Sequence, residues 1–174
     1  MLSDNMELII DGYNLIGSEQ GLRGPLEPRR NGLIQRLSSY QKIKQFGVTL
    51  VFDGWRTGPG DEALEKKNGV VVIYSRLNEK ADAVIVRLAR QKGAGSVVVT
   101  SDREIRSAVE RFGAVAVSAS EFSRILRGLD APSSSEDFAD EEDDDGMEVA
   151  KRGNPNRASK SERRRNDKLK KLRL

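Results

Sequence analysis

The stretch ELIIDGYNLIG, residues 7–17, joins an apolar run directly to an acidic residue. Apolar runs of this length are typical of a strand that is buried on both faces of a sheet. Asp11 ends the run and is followed at once by Gly12, Tyr13 and Asn14. A carboxylate at this point either closes a turn or belongs to a functional site at the end of a strand.

The segment after this stretch has a helical pattern. Residues 26–46 are predicted to form a helix that ends at Gly47. Its apolar positions recur at helical spacing, namely Leu33, Leu37, Tyr40 and Ile43. Residues 54–69 are rich in glycine and in charged residues, and are predicted to form a loop.

Strands and helices alternate along the rest of the chain up to residue 129. The predicted strands are VTLVFD (48–53), VVVIYS (70–75), SVVVTSD (96–102) and AVAVS (114–118). The predicted helices are EKADAVIVRLARQKG (79–93), REIRSAVERFG (103–113) and SASEFSRILRGL (118–129). Apolar strands that alternate with amphipathic helices predict a three-layer α/β/α sandwich with a central, mainly parallel sheet.

Charge is segregated along the chain, although the formal net charge is only +3. Residues 1–129 are predicted to form one domain. Residues 130–150 contain a dense acidic run at 136–148 and are predicted to be a disordered linker, because they offer too little apolar surface to fold. Residues 151–174 form a strongly basic C-terminal extension.

The basic extension has features of a helix. Ser159 and Glu162 have the spacing of a capping box, in which each residue bonds to the backbone N–H of the other. Only Leu169 and Leu172 offer an apolar stripe. We therefore expect a basic helix in this segment.

The composition excludes several kinds of chemistry. The chain contains neither cysteine nor histidine, which rules out disulfides, Ser-His-Asp triads, cysteine nucleophiles and Cys/His zinc sites. It has no apolar run long enough to span a membrane and no pattern of a signal peptide. A cytoplasmic protein without a membrane partner is therefore expected.

Four acidic residues lie at predicted element ends: Asp11, Asp53, Asp82 and Asp102. The carboxyl ends of parallel strands meet at one edge of a sheet, so at least three of these residues should share that edge. A group of carboxylates is costly unless a proton or a cation compensates, and oxygen-only ligands suit Mg²⁺ or Mn²⁺. Each acid is also what a turn or a helix cap would use, and both interpretations stay open on the pattern alone.

Four segments together resemble the YacP-like branch of the NYN-domain proteins, which have the PIN-like nuclease fold: LIIDGYNLIG, VTLVFDGW, VVIYSRLNEKADAVI and VVVTSDREI. The likeness covers about residues 6–128. It implies a Mg²⁺- or Mn²⁺-dependent endoribonuclease with Asp11, Asp82 and Asp102 as catalytic residues and metal ligands, and Asp53 as a further catalytic acid. The residues expected to support them are Asn14, Glu79 and Ser101.

The expected substrate is RNA, messenger or ribosomal, and the ribosome is a further candidate partner. Basic residues near the predicted edge would contact phosphates: Arg56, Arg76, Lys80 and Arg103. Tyr13 and Trp55 are candidates for stacking on bases. The basic extension adds Arg163, Arg164 and Arg165.

Three other functions compete with this one. A haloacid dehalogenase-type phosphatase needs a second aspartate where this chain has Tyr13. A non-catalytic RNA- or ribosome-binding protein with a vestigial acidic site is the main alternative. A toxin-like protein that acts with an antitoxin is a weaker one.

Overall fold

The structure is a computed structural model and describes residues 6–54, 61–129 and 158–173. Its strands are β1 Glu7–Asp11, β2 Gly47–Phe52, β3 Ala63–Lys67, β4 Val70–Tyr74, β5 Ser96–Val99 and β6 Val115–Val117. They form one sheet in the order β3-β4-β2-β1-β5-β6. All neighbouring pairs are parallel except β3 and β4, so the predicted mainly parallel sheet is confirmed.

Helices cover both faces of this sheet. They are α1 Gly12–Gln20, α2 Glu27–Lys44, α3 Ala81–Lys92, α4 Arg103–Glu110, α5 Ala119–Arg127 and α6 Lys160–Leu172. Apolar side chains of α1, α2, α5 and α6 share one core, and those of α3 and α4 share the other. This arrangement confirms the predicted three-layer α/β/α sandwich. In the described part of the chain, no helix is long and apolar enough to cross a membrane.

Strand β1 lies in the middle of the sheet, and the alternation of its side chains sets the direction of its last residue, Asp11. Leu8, Ile9 and Ile10 are fully buried. Side chains alternate along a strand, and Leu8 and Ile10 enter the core below α1 and α2 whereas Ile9 enters the core below α3 and α4. Asp11 is therefore directed to the same side as Ile9, toward α3.

Helix α1 was not predicted from the sequence. Gly12, Asn14 and Gly17 lower its intrinsic helix propensity, and it buries only a few apolar residues. The helix is started by the Asp11 carboxylate, which accepts a hydrogen bond from the backbone N–H of Asn14 over 3.4 Å. Tertiary packing and this cap replace the missing sequence signal.

The predicted end of α2 was also wrong. The helix ends at Lys44, Gln45 adopts a left-handed conformation with φ of 60°, and Gly47 already belongs to β2. Ile43 was expected to be buried but is 59% exposed, because it lies in the last turn and outside the apolar face. Leu33, Leu37 and Tyr40 are buried as predicted.

The predicted loop at residues 54–69 contains a strand. Residues 63–67 form β3, which pairs with β4 through a turn at Asn68 and Gly69. Both turn residues have positive φ, as a tight hairpin turn requires. Four of the five β3 residues are exposed, so the apolar alternation that usually reveals a strand is missing.

Helix α6 packs against the folded domain. The capping box expected at Ser159 and Glu162 is present. Leu172 is fully buried and Leu169 nearly so, and the hydroxyl of Tyr40 donates a hydrogen bond to the Leu172 carbonyl over 2.8 Å. The predicted domain boundary at residue 129 stays a prediction, but α6 adds packed residues beyond it. The predicted acidic linker, residues 130–150, lies outside the described residues.

Candidate active site

The DGYN sequence builds the turn between β1 and α1. Gly12 lies so close to the Phe52 ring that a Cβ atom there would be 2.3 Å from it. Tyr13 packs on the same ring with a centroid distance of 4.9 Å. The side-chain oxygen of Asn14 accepts a hydrogen bond from the backbone N–H of Ser101 over 2.9 Å. These contacts fix the end of β1 against the end of β5 and hold Asp11 in place.

Asp11 is a buried carboxylate with weak compensation. Its side chain is 9% exposed and accepts long hydrogen bonds, both 3.4 Å, from the Asn14 backbone and the Thr100 hydroxyl. Burial is the largest cause that raises the pKa of Asp11 from 3.8 to about 7. The Asn14 N–H opposes this shift, and the charges of Asp82 and Asp53 raise the pKa further.

Asp53 joins the end of β2 to the start of α3. One of its carboxylate oxygens accepts a hydrogen bond from the Ala81 backbone N–H over 2.7 Å. Gly54, which follows, donates to the Ser75 hydroxyl, and a Cβ at Gly54 would collide with the Ser75 carbonyl at 1.7 Å. The FDG sequence therefore positions the first turn of α3.

That first turn carries Asp82. The pKa of its carboxyl is raised, first by burial and then by the charges of Asp102 and Asp53, whereas Lys80 acts in the opposite direction. Among the described residues, the Asp82 carboxylate has no hydrogen bond beyond that to its own backbone. Within the described part of the chain, this carboxylate can therefore accept a ligand.

Asp102 is the N-cap of α4, as one of its two interpretations predicted. One oxygen accepts hydrogen bonds from the backbone N–H groups of Glu104 and Ile105, at 2.8 and 3.2 Å. Thr100, fully buried, links this residue to the cluster because its hydroxyl bonds both Asp11 and the Asp102 N–H, the latter over 3.2 Å. Thr100 is not among the predicted site residues, although its place directly after β5 and before Ser101 marks it as a strand-end residue.

Together Asp11, Asp53, Asp82 and Asp102 form the acidic cluster, since charges within this set act on each other. The predicted three-carboxylate metal site is not formed as such: within residues 6–54, 61–129 and 158–173 no three acids are close enough to hold a metal ion. Proteins usually hold Mg²⁺ through one or two carboxylates while several waters remain bound. The cluster offers only oxygen ligands, and the charge of Asp82 interacts with those of Asp11 and Asp102. It therefore fits a site in which one or two carboxylates hold the ion.

Two of the three expected supporting residues lie where they can support the cluster. Asn14 and Ser101 bond each other, and the Ser101 hydroxyl accepts a hydrogen bond from the Ala119 backbone over 3.1 Å. Glu79 was expected beside Asp82, but its carboxylate pairs with Arg87 over 3.1 Å.

The expected RNA-binding residues have different environments. Arg76, Lys80 and Arg103 are exposed near the acidic cluster. Tyr13 was expected to stack on a base, but it is buried against Phe52 and leaves no ring face for one. Trp55 and Arg56 lie outside the described residues.

Comparison with known proteins identifies the family. No curated protein matches the chain. Two crystal structures of Rae1 (YacP) from Bacillus subtilis are similar to it at 30% identity. One, a point mutant, has a TM-score of 0.60 with 72% of this chain and 77% of that chain covered. The other has a TM-score of 0.56 with 71% and 74% covered. The profile of the YacP-like NYN domain matches residues 8–173, so the chain belongs to the YacP-like NYN domain family.

Proposed function

We propose that this protein is an endoribonuclease that hydrolyses phosphodiester bonds of RNA at the acidic cluster and requires Mg²⁺ or Mn²⁺. The observation that carries the proposal is the convergence of acids from four separate segments: the charges of Asp82 and Asp53 add to the effect of burial on the pKa of Asp11, and those of Asp102 and Asp53 add to it at Asp82. Membership in the YacP-like NYN family supports a nuclease-type function on RNA.

The energetics of the cluster favour a bound cation. Two carboxylates about 4 Å apart repel each other by roughly 4 kcal/mol at an effective dielectric near 20. Asp11, Asp82 and Asp102 are the proposed ligands, of which one or two at a time, with bound waters, would hold Mg²⁺ or Mn²⁺. Asp53 would hold α3 in position. When bound, such an ion stabilises charge on a phosphoryl group and makes hydroxide accessible near neutral pH.

The protein's own residues prepare the site for that ion. Asp11 must lose its proton to become a ligand, and its pKa near neutrality makes cation affinity rise with pH. Thr100 and Asn14 fix the orientation of the Asp11 carboxylate. Hydrolysis with the 3′ oxygen as leaving group gives products with 5′-phosphate and 3′-hydroxyl ends.

Exposed cations can hold the RNA backbone next to the cluster. Arg76 lies in the loop after β4, Lys80 directly precedes α3, and Arg103 is the first residue of α4. Phosphate contacts of this kind position a strand without reading its sequence. Messenger or ribosomal RNA is the proposed substrate, and the ribosome is a proposed partner.

Helix α6 extends this basic surface. Its C-terminal end lies by the end of α2, where Lys44 donates to the Arg173 carbonyl, and α2 ends at the edge of the sheet where β2 begins. The N-terminal half of α6 therefore points to the edge that carries the acids. Arg163 and Arg164 are exposed there, and Arg165 pairs with Glu121 over 2.8 Å.

The direct test is cleavage of single-stranded RNA by the purified protein with Mg²⁺ or Mn²⁺. We expect cleavage that stops when EDTA is added and that is lost in Asp11→Asn. Glu104→Gln is the matched control, because it removes an exposed carboxylate two residues from Asp102. Equal cleavage by the wild type and Asp11→Asn would show that the activity does not belong to this site.

A non-catalytic RNA-binding protein is the second candidate. The observation that favours it is that no three acids among the described residues are gathered to hold an ion. Under this alternative the protein binds RNA, and neither Mg²⁺ nor Mn²⁺ produces cleavage. The same assay, combined with a binding measurement, separates the two functions.

A further inference from the structure

Arg30, in the first turns of α2, is a buried cation that bonds a tyrosine hydroxyl. The residue is 8% exposed, and one nitrogen of its guanidinium donates to the Tyr13 hydroxyl over 3.1 Å. No ion pair of Arg30 is found in the described part of the chain. Arginine is rarely buried unless it is paired, because desolvation of its charge is costly.

The surroundings of Arg30 add positive rather than negative charge. Lys67, on β3, is close enough that the charge of Arg30 acts on it. The pKa of Lys67 is raised mainly by its hydrogen bond with Glu65, while Arg30 opposes that shift. Glu65 is already paired with Lys67 over 3.0 Å. Around Arg30 there are therefore two cations, Arg30 and Lys67, and one carboxylate, Glu65, which is already paired with Lys67.

Arg30 is joined through Tyr13 to the segment that carries Asp11. Its partner Tyr13 is two residues from Asp11, and the rings of Tyr13, Phe52 and Tyr74 form a continuous row along the ends of β1, β2 and β4. Asp11 is directed toward α3, whereas Tyr13 packs in the core below α1 and α2. A nucleic-acid strand that crosses the ends of β1 and β2 would contact both the side of the sheet that carries Asp11 and the side that carries Tyr13.

We propose that Arg30, oriented by the Tyr13 hydroxyl, forms an anion subsite that binds a phosphodiester of the RNA strand beside the acidic cluster. The planar guanidinium has donors left for a phosphate, and its fork geometry suits phosphate oxygens. The identity of the anion rests on the proposed function; the subsite itself rests on the burial and charge of Arg30. The competing explanation is that Arg30 packs its stem and carries its head to water.

The test compares the binding of a fluorescent single-stranded RNA to the full-length wild type and to Arg30→Met, in EDTA, over a series of salt concentrations. Arg30→Met keeps an apolar stem and removes the charge. We expect affinity to fall roughly ten- to hundredfold, the usual effect of losing a hydrogen bond to a charged group. The slope of log affinity against log salt should decrease by about 0.7, which corresponds to one phosphate on a single strand.

Lys42→Met is the matched control. It removes the same charge from an exposed position at the other end of α2. We expect its salt slope to equal that of the wild type. Arg30→Lys is the second variant in case Arg30→Met does not fold: it should keep most of the salt slope and still bind more weakly, because it lacks the fork.

Three results would overturn the subsite: wild-type affinity and slope in folded Arg30→Met, wild-type affinity in Arg30→Lys if the Met variant does not fold, or no RNA binding by the wild type. The cleavage assay distinguishes this failure from failure of the proposed function. An active nuclease with unchanged binding in Arg30→Met loses only the subsite. Weaker binding in Arg30→Met, with no cleavage by the wild type, supports the subsite and removes only the nuclease activity.

Discussion

The acidic cluster and helix α6 hold charge in opposite ways. In the cluster, like charges are gathered at the ends of buried strands, and Asp11 is almost fully enclosed. On α6, the cations Arg163 and Arg164 are exposed to solvent, and the helix is attached by two leucines on its other side. The difference shows which charges cost the fold energy and which do not.

Each region separates its structural groups from its functional groups differently. In the cluster, one carboxylate can serve both purposes, because Asp53 and Asp102 each use one oxygen to bond backbone N–H groups. On α6 the purposes fall on different residues, since Leu169 and Leu172 hold the helix and the cations face outward. Substitutions should therefore change chemistry in the first region, and either stability or RNA affinity in the second.

The largest expected effect is a loss of RNA cleavage when Asp82 is substituted, because this acid makes the fewest hydrogen bonds within the described part of the fold. Asp82→Asn should lower the cleavage rate by roughly 10²–10³-fold, the usual effect of removing one group that stabilises transition-state charge. Its melting temperature should not fall, because the change removes a repelled carboxylate with no other partner among the described residues. Glu104→Gln should retain the wild-type rate. A strongly destabilised Asp82→Asn would assign this residue a structural role instead.

The next effect tests whether α6 belongs to the folded domain. Leu172→Ala should lower the free energy of unfolding by about 2–5 kcal/mol, the usual cost of truncating a fully buried leucine. Leu64→Ala is the control, since Leu64 is 67% exposed and its loss should change stability by less than about 0.5 kcal/mol. Urea denaturation measures both. Equal stabilities would mean that α6 does not pack against the core.

The raised pKa of Asp11 makes stability depend on pH in a specific direction. The folded state holds its proton up to about pH 7, whereas an unfolded aspartate loses it near pH 4. Between these values the folded state binds more protons, so this group makes stability fall as pH rises. In EDTA, the wild type should lose on the order of 2–4 kcal/mol relative to Asp11→Asn across this range.

Denaturation of both proteins at several pH values measures this difference. A constant difference would mean that Asp11 keeps an ordinary pKa. Added Mn²⁺ should recover the stability of the wild type at high pH and leave Asp11→Asn nearly unchanged.

The smallest expected effect follows from removing exposed cations of α6, and it is a weaker salt dependence of RNA binding. The double substitution Arg163→Gln and Arg164→Gln should reduce the salt slope of single-stranded RNA binding by about 1.4, equivalent to two phosphate contacts. Stability should stay within about 0.5 kcal/mol of the wild type, because both side chains are exposed. An unchanged slope would mean that Arg163 and Arg164 do not contact RNA and that residues nearer the acids bind it.

The elements that the sequence predicted well have apolar patterns that match their burial. β1, β2, β4 and β5 are continuous apolar runs, and α3 and α5 are amphipathic. α1 and β3 were missed because α1 depends on its cap and on contacts with Phe52, and β3 is an exposed edge strand. The Asn68–Gly69 pair was the one local signal for the hairpin that contains β3.

The positions of the acids could be predicted because they follow from the topology of the sheet. The contacts of individual side chains could not be predicted. Strand ends and a helix start bring Asp11, Asp53, Asp82 and Asp102 together, and this follows from the order of the elements. Three features depend on packing between distant segments: Tyr13 is buried, Glu79 pairs with Arg87, and Arg30 bonds Tyr13 rather than any acid of the described residues. No local pattern in the sequence carries that information.

The most direct test of the proposed cation site is Mn²⁺ binding, measured by calorimetry in the presence of an RNA that resists hydrolysis. We expect the wild type and Glu104→Gln to bind the ion with the same affinity and Asp82→Asn to bind it far more weakly. Equal Mn²⁺ affinity in all three proteins, or no binding in any of them, would contradict the claim that this cluster is a cation site.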